Sequence, residues 1–510
     1  MKAHQRGRLG RTDRPNNWPT SSSGCSSASL PRTSNLLPEK VFTETVRRQS
    51  EAHTDLRTML RALFAAMRDG GVFGYHEILH FNGTLFDDEF VPTVPADLAR
   101  ALLKAAREDW SAVDPSIFGT IFERVIDPDK RAQLGAHYTS QDDIMLIVEP
   151  VLMEPLRREW DEVRRKASTL PDDEAYALLQ TFSDKLAATR VLDPACGSGN
   201  FLYMGLRELL NLQKQIIAYA ARRELPEIPL TVSPQQLYGI EINPYAHELA
   251  QITAWIGYLQ WRAENGFAEM DEPILKPLHN IRRMDAILTY DEDGRPVEPV
   301  WPEAEVIIGN PPFLGGNKIR QELGDSYVDS LFKLYNGRIP AFADLVCYWF
   351  EKARAQIEAG ISERAGLIAT NSIRGGVNRT VLDRIKQTGD IFMAWSDNPW
   401  VLDGAAVRVS IVGFDRGEQN DRVLNGTSAI IINSDLTRAL DLTSAYRLSE
   451  NAEIAYSGTK KGGPFDITRE QARDFINTPN NNPAKEKQRG HISMDEWKGD
   501  YRKTTKYLDY

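Results

Sequence analysis

Cysteine is almost missing from this chain: three residues in 510, Cys25, Cys196 and Cys347, lie far apart. That excludes a disulfide scaffold and any C-x-x-C zinc ribbon. No apolar run reaches the roughly 18 residues that a membrane-spanning helix needs. The N-terminus carries Arg and Ser without the apolar stretch of a secretory signal. The expectation is a soluble, cytoplasmic chain with no metal centre and no membrane partner. Excess positive charge is lacking too. Lys and Arg number 61 against 71 Asp and Glu, a net charge of −10. This excludes a uniformly basic nucleic-acid coat but leaves room for a basic cleft on an acidic body.

What is present is core-forming material. With 42% apolar residues and 26% charged ones, most of the chain reads as globular, and its length allows about two to four domains. Residues 1–38 are rich in Arg, Ser, Pro and Asn and are expected to form a disordered leader. Over residues 39–130 the pattern is helical: VFTETVRRQSEAHTDLRTMLRALFAAMRDG repeats apolar residues at helical spacing and stops at Gly70-Gly71. This predicts a small helical connector. From 131 to 416 strands and helices alternate, with β-branched runs at Thr189–Leu192, Leu237–Glu241, Val306–Gly309, Ala365–Thr370, Ile391–Trp395 and Val407–Phe414. The alternation predicts an α/β layer with a mostly parallel sheet, whose ligands bind beyond the carboxyl ends of the strands. Periodicity weakens over 417–510, which reads as an incomplete further domain and a polar tail.

Two strand-end loops carry the main chemistry. TRVLDPACGSGNFL (189–202) runs from a short strand through Asp193, Gly197 and Gly199 into an amphipathic helix. Glycines at such a bend let a ligand approach the backbone, and the helix start offers unpaired N–H groups. A carboxylate there repels phosphate and suits a cationic amine or sulfonium. The spacing is not the G-x-G-x-x-G dinucleotide fingerprint. Cys196, inside this loop, reads as a small apolar packing residue. Glu241 ends the next strand, where an acidic side chain can accept hydrogen bonds from ribose hydroxyls. Asp285, where a third strand should end, is expected near an adenine ring.

The second is AEVIIGNPPFLGG, a buried strand entering Asn310-Pro311-Pro312-Phe313. Two prolines stiffen the loop and remove two N–H donors. The Asn310 amide oxygen and the Pro311 carbonyl can then accept from one exocyclic NH₂ group and orient its nitrogen lone pair for attack. Phe313 offers a flat face for an extruded base.

These residues resemble the S-adenosyl-L-methionine-dependent amino-methyltransferases of DNA. DPACGSGNF, EIN and NPPF match that family's cofactor and catalytic motifs in order, and NPPF resembles the adenine-N6 branch. LGAHYTS (134–140), followed by a long helix, resembles the additional cofactor motif of the γ-class order. GIEINPYA, NPPFLGGNK and ADLVCYWFEKA (343–353) resemble the methyltransferase part of large single-chain type II restriction–modification enzymes. The resemblance implies a Rossmann-like class I methyltransferase with a seven-stranded, mostly parallel sheet. Its implied cofactor residues are His137, Tyr138, Thr139, Asp193, Pro194, Ala195, Gly197, Gly199, Asn200, Phe201, Glu241, Ile242, Asp285 and Ala286, with Tyr138 and Thr139 bordering the methionine end. It implies double-stranded DNA as a partner, and a separate specificity or nuclease subunit as a further one. It also implies a partial target-recognition region over 417–510. The family's nuclease motif, Asp…Glu-x-Lys, does not precede the methyltransferase here.

Rival readings stay open. N-P-P also serves enzymes that methylate a protein glutamine or an adenine in RNA, although those tend to end the tetrapeptide in Tyr. A methyltransferase-like DNA-binding subunit that needs a partner for target choice is the third reading. Cytosine-C5 chemistry needs a Pro-Cys nucleophile and a zinc deaminase needs H-x-E with P-C-x-x-C. All are absent.

Overall fold

The computed structural model describes residues 40–52, 56–80, 90–108, 113–115, 117, 139–267, 278–402 and 405–438. The leader, most of 109–138 and everything beyond 438 lie outside them. The segment expected to be a helical connector holds α1 (Val41–Ala52), α2 (Leu56–Asp69) and α3 (Ala96–Ala105). It also holds a short hairpin that the helical periodicity did not predict, β1 (Gly71–Phe73) and β2 (His76–Ile78). Next comes a long helical stretch, α4 (Gln141–Ile147) and α5 (Glu154–Ala167), joined through a π-helical segment at Val148–Met153. Pro150, which has no N–H to donate, lies within the segment, and irregular hydrogen bonding at a proline is an ordinary cause of such a widening. This helix lies directly on the sheet. A Cβ on Gly366 would come within 2.6 Å of Val151 Cγ2, so only glycine permits the approach.

After α6 (Asp172–Ala188) the α/β alternation begins. It runs β3 (Val191–Asp193), α7 (Asn200–Arg222), β4 (Leu237–Glu241), α8 (Pro244–Glu264), β5 (Ile281–Arg283), a small hairpin of β6 (Thr289–Tyr290) and β7 (Pro296–Val297), and β8 (Val306–Gly309). Then come α9 (Gly316–Leu323), α10 (Asp325–Leu334), α11 (Val346–Ala359), β9 (Arg364–Thr370), α12 (Arg379–Thr388), β10 (Asp390–Leu402), β11 (Ala405–Asp415), β12 (Arg422–Leu424) and β13 (Thr427–Ala429).

The main sheet has the order β13-β12-β10-β11-β9-β8-β3-β4-β5. The expected seven-stranded, mostly parallel sheet is thus a mixed sheet of nine strands among the described residues. Its main parallel part is the consecutive block β9-β8-β3-β4-β5, and β10 and β12 form one further parallel pair. β11 is antiparallel to both its neighbours, β9 and β10. The cause is the connection. Two residues separate β10 from β11, and a parallel crossover needs about a dozen or more. β12 and β13 add a hairpin beyond residue 416, turning at Asn425-Gly426 with positive φ of 52° and 72°, the residue pair that a tight hairpin turn favours.

Alternation along the central strands builds two cores, one on each face. Val306 and Ile308 face the core shared with α6, α7 and α8, whereas Ile307 faces the core shared with α9 to α12. Among the described residues no helix is long and apolar enough to cross a membrane, and no cluster of three or more His, Cys, Asp or Glu could hold a metal ion.

α11 is fixed by a buried ion cluster. Glu351 is fully buried and accepts from Arg354 Nε at 2.9 Å and Arg384 Nε at 2.9 Å, which ties α11 to α12. Glu351→Ala leaves two guanidinium groups facing a void and should cost about 3–5 kcal/mol of unfolding free energy in a urea titration. A loss below about 1 kcal/mol would mean that the cluster does not anchor the helix.

Candidate active site

Strand order reverses between β3 and β8: the chain moves from β3 outward through β4 and β5 on one side, and from β8 to β9 on the other. In open α/β sheets that crevice is where ligands bind. The loop after β3 and the loop after β8 both open there. Their closeness can be measured. A Cβ built on Gly309, the last residue of β8, would lie 2.5 Å from Asp193 Oδ1, the carboxylate that ends β3.

The first loop is held by its own sequence. Gly197 (φ +53°) and Gly199 (φ +85°) adopt left-handed backbone, and a Cβ at Gly199 would meet Ala250 Cα of α8 at 2.9 Å. Glu241 closes the loop from β4. Its Oε2 accepts from Gly197 N at 2.9 Å and its Oε1 from Asn243 N at 2.7 Å. Asn243 in turn caps α8, accepting from Tyr245 N and Ala246 N at 2.8 and 3.2 Å. The EIN sequence therefore codes for loop closure and a helix cap as well as for any ligand contact. Cys196 is buried, its thiol pushed well up by burial, and it acts as packing against Gly239.

Asp193 is buried, and its hydrogen bond is to Ala195 N at 3.0 Å. Burial pushes its carboxyl up to about 8, with the nearby Glu241 charge adding to the effect. Glu241 is also raised by burial, partly offset by its backbone donors. One residue past Gly199, Asn200 Oδ1 is a buried acceptor without a partner among the described residues. Pro194 and Phe201 are buried, Ala195 is half-buried, and Ile242 is exposed. Ala286 is buried, and its carbonyl accepts from Trp301 Nε1 at 2.7 Å. Asp285 follows β5 by two residues. It accepts from Ile287 N at 2.8 Å, Leu288 N at 3.1 Å and the Tyr327 hydroxyl at 2.8 Å, so its carboxylate already organises a turn.

In the second loop, Pro311 is buried while Asn310, Pro312 and Phe313 are half-buried, and Phe313 packs against both cores. Asn310 Nδ2 donates to Thr139 Oγ1 at 3.1 Å, and Asn310 Oδ1 is buried without a partner among the described residues. Thr139 is thus brought to the amide of the NPPF loop. His137 and Tyr138 lie outside the described residues.

Supports that sequence reasoning did not assign come from the segment ADLVCYWF. Asp344 Oδ1 accepts from Leu314 N at 3.1 Å, and Leu345 N donates to Leu314 O at 3.0 Å, which pins the exit of the NPPF loop. Four residues on, Trp349 Nε1 donates to Pro194 O at 3.0 Å in the other loop. The one available signal was an Asp heading an otherwise apolar helix start.

The reversed strand order and the two facing loops define an α/β fold whose ligand crevice lies at its switch point. A protein-family model described as "MmeI, DNA-methyltransferase domain" matches residues 163–425, just over half of the chain, and the chain belongs to that family. It is 28% identical over 396 residues to DNA methyltransferase A of Bacillus subtilis (strain 168), covering 74% of this chain and 43% of that protein. It is 25% identical over 218 residues to the adenine-specific methyltransferase BrxX of Escherichia coli O9:H4 (strain HS), covering 37% of this chain and 18% of that one. Among solved structures, the type IIL restriction–modification enzyme MmeI in complex with DNA superposes with a TM-score of 0.69 at 25% identity, covering 82% of this chain and 58% of that chain. The chain spans less than two thirds of the length of each of these relatives.

A raised carboxyl has a measurable consequence. Between the ordinary value of 3.8 and about 8, folded Asp193 holds a proton that the unfolded chain has released. Its contribution to stability is therefore lost as pH rises through that window, by up to about 1.4 kcal/mol per pH unit, with Glu241 acting in the same direction. Urea midpoints measured from pH 5 to 8 should fall less steeply for Asp193→Asn than for the wild type. Parallel slopes would place the Asp193 carboxyl in its ordinary range.

Proposed function

We propose that this chain transfers a methyl group from S-adenosyl-L-methionine to N6 of adenine in double-stranded DNA, as part of a restriction–modification or phage-defence system. The observation that carries the reading is Asn310 Oδ1, a buried acceptor with no partner among the described residues, on a proline-stiffened loop beside Asp193. A buried acceptor left open costs free energy until a donor arrives. An exocyclic amine brings two such donors.

The residues suit the cofactor on three counts. Asp193 is a buried carboxylate with no cation among its hydrogen-bond partners, which favours a positively charged ligand group that would release its proton. Gly197, with open space where a Cβ would stand, leaves its backbone free for close approach, and Asn200 Oδ1 is a second unfilled acceptor. Glu241 keeps lone pairs for ribose hydroxyls beyond its two backbone bonds. Ile242, Asp285 and Ala286 would border the purine ring, and Pro194, Ala195 and Phe201 would wall the loop. When bound, the cofactor supplies a methyl carbon activated by its sulfonium sulfur.

The rest is orientation by the chain. An adenine leaves the duplex at a cost of a few kcal/mol and stacks on Phe313. Asn310 Oδ1 and the Pro311 carbonyl would accept its two N–H groups and so free the nitrogen lone pair for attack, the methylated nitrogen then shedding one proton along one of these two bonds, while Pro312 keeps the loop rigid. Alignment of this kind supplies a large part of the rate in a displacement between two bound partners. The relatives support the substrate class, since BrxX is an adenine-specific methyltransferase and the MmeI structure is a complex with DNA. Selection of the recognition sequence is assigned to residues beyond those described or to a separate specificity or nuclease subunit.

Asn310→Ala should lower radiolabel transfer to duplex DNA by about 100-fold or more, the size of effect seen when one preorganised polar group is removed from an active site. S-adenosyl-L-methionine affinity, measured by calorimetry, should stay within about twofold. Transfer at the wild-type rate would remove the amine-holding role. Label arriving on RNA or lysate protein in place of DNA would replace the substrate.

A further inference from the structure

We infer that Thr139 is a positioning residue for the target amine: its hydroxyl occupies the NH₂ end of the Asn310 amide and so leaves the oxygen end as the arm that can accept. The inference rests on the reading that Asn310 holds the amine. It also assigns Thr139 a role different from the cofactor contact that the GAHYTS resemblance implies.

Asn presents an acceptor on one arm and two donors on the other, and the arms have nearly the same shape. A target amine needs the acceptor, and the reversed amide would set N–H against N–H. Something must therefore engage the donor arm. Asn310 Nδ2 donates to Thr139 Oγ1 at 3.1 Å, while the opposite arm, Oδ1, is buried and open. Reversing the amide would set the Nδ2 donors where Oδ1 now lies and leave a target amine no acceptor there.

Thr139 is itself firmly held. It is buried, at 4% exposure, and directly precedes Ser140, the N-cap of α4, whose Oγ accepts from Asp143 N at 3.2 Å. The hydroxyl thus projects from the fixed start of a helix rather than from a free loop. It reaches Asn310 across 171 residues of sequence.

Thr139→Val keeps the shape and removes the hydroxyl, and Thr139→Ser keeps the hydroxyl and removes the methyl. Single-turnover transfer to duplex DNA, with cofactor and DNA saturating, should fall about tenfold in Thr139→Val, the upper range for one neutral hydrogen bond. Thr139→Ser should stay within about twofold of the wild type. The calorimetric Kd for S-adenosyl-L-methionine should be unchanged in both. Thr139→Ala serves as a second loss variant should the valine lower the melting temperature. A wild-type rate in both loss variants, or a loss confined to the cofactor Kd, overturns the inference. Asn310→Ala keeps the two claims apart. If it retains full transfer, the amine-holding reading fails first. If it abolishes transfer while Thr139→Val changes nothing, the positioning role alone fails.

Discussion

The contact between Asp193 and Gly309 is the constraint on which the site depends. Two adjacent parallel strands end with a carboxylate on one and a bare Cα on the other, and a single added methyl would fall 2.5 Å from the carboxylate oxygen. Because the residue at 309 has no side chain, Asp193 can lie buried between the strand ends while the loops on both sides open into one crevice. The arrangement is costly when empty. A carboxylate out of water, with no counter-charge among its hydrogen-bond partners, shifts toward its neutral form, and that is the direction burial drives Asp193. A cationic ligand group would reverse the penalty, so local instability is coupled to ligand affinity.

A second element sets how far apart the two loops stand. The start of α11 touches both: Asp344 and Leu345 grip Leu314 behind the NPPF sequence, and Trp349 grips the Pro194 carbonyl in the Gly loop. Within one turn and a half of helix, the positions of both loops become a property of a rigid rod. The fully buried Glu351, clamped by Arg354 and Arg384, keeps that rod from rolling on α12. Transfer between two bound partners is sensitive to misplacements of about 1 Å. Bracing from one rigid helix is a more precise solution than two independently closed loops.

How much of this was legible follows from how local each signal is. The strands Leu237–Glu241 and Val306–Gly309 were readable to the residue because each is a short, mostly buried apolar run that stops at a polar group, Glu241 in one and Asn310 just past the other. The Gly loop and the proline hook were readable because their stiffness and permissiveness reside in the residues themselves. β5 was placed only by its expected end, since Ile281-Arg282-Arg283 exposes two arginines at the sheet's edge and has no apolar alternation. The direction of β11 and the β12–β13 hairpin were missed because they depend on connection length and an Asn-Gly turn, not on hydrophobic pattern. Contacts such as Thr139 to Asn310 and Trp349 to Pro194 span 171 and 155 residues and leave no periodic trace. Propensity can announce a loop; it does not say which distant side chain will hold it.

Under the proposed function, the open acceptor at Asn310 also explains selectivity by what it rejects. A carbonyl edge, as on guanine or thymine, would bring oxygen against oxygen in a buried space, leaving two acceptors unpaired at once. Sites built to satisfy a donor discriminate strongly against groups that lack one, because the protein's own buried atom is then left without a partner. An amine pays no such penalty. Adenine and cytosine carry one where guanine and thymine carry a carbonyl, and guanine carries another at C2, so the polar contact alone reads an amine and not a particular base. The remaining choice falls to the size of the space beside Phe313, which packs against both cores and so has little freedom to shift. Polar satisfaction selects the functional group, and packing at the switch point selects the ring that carries it.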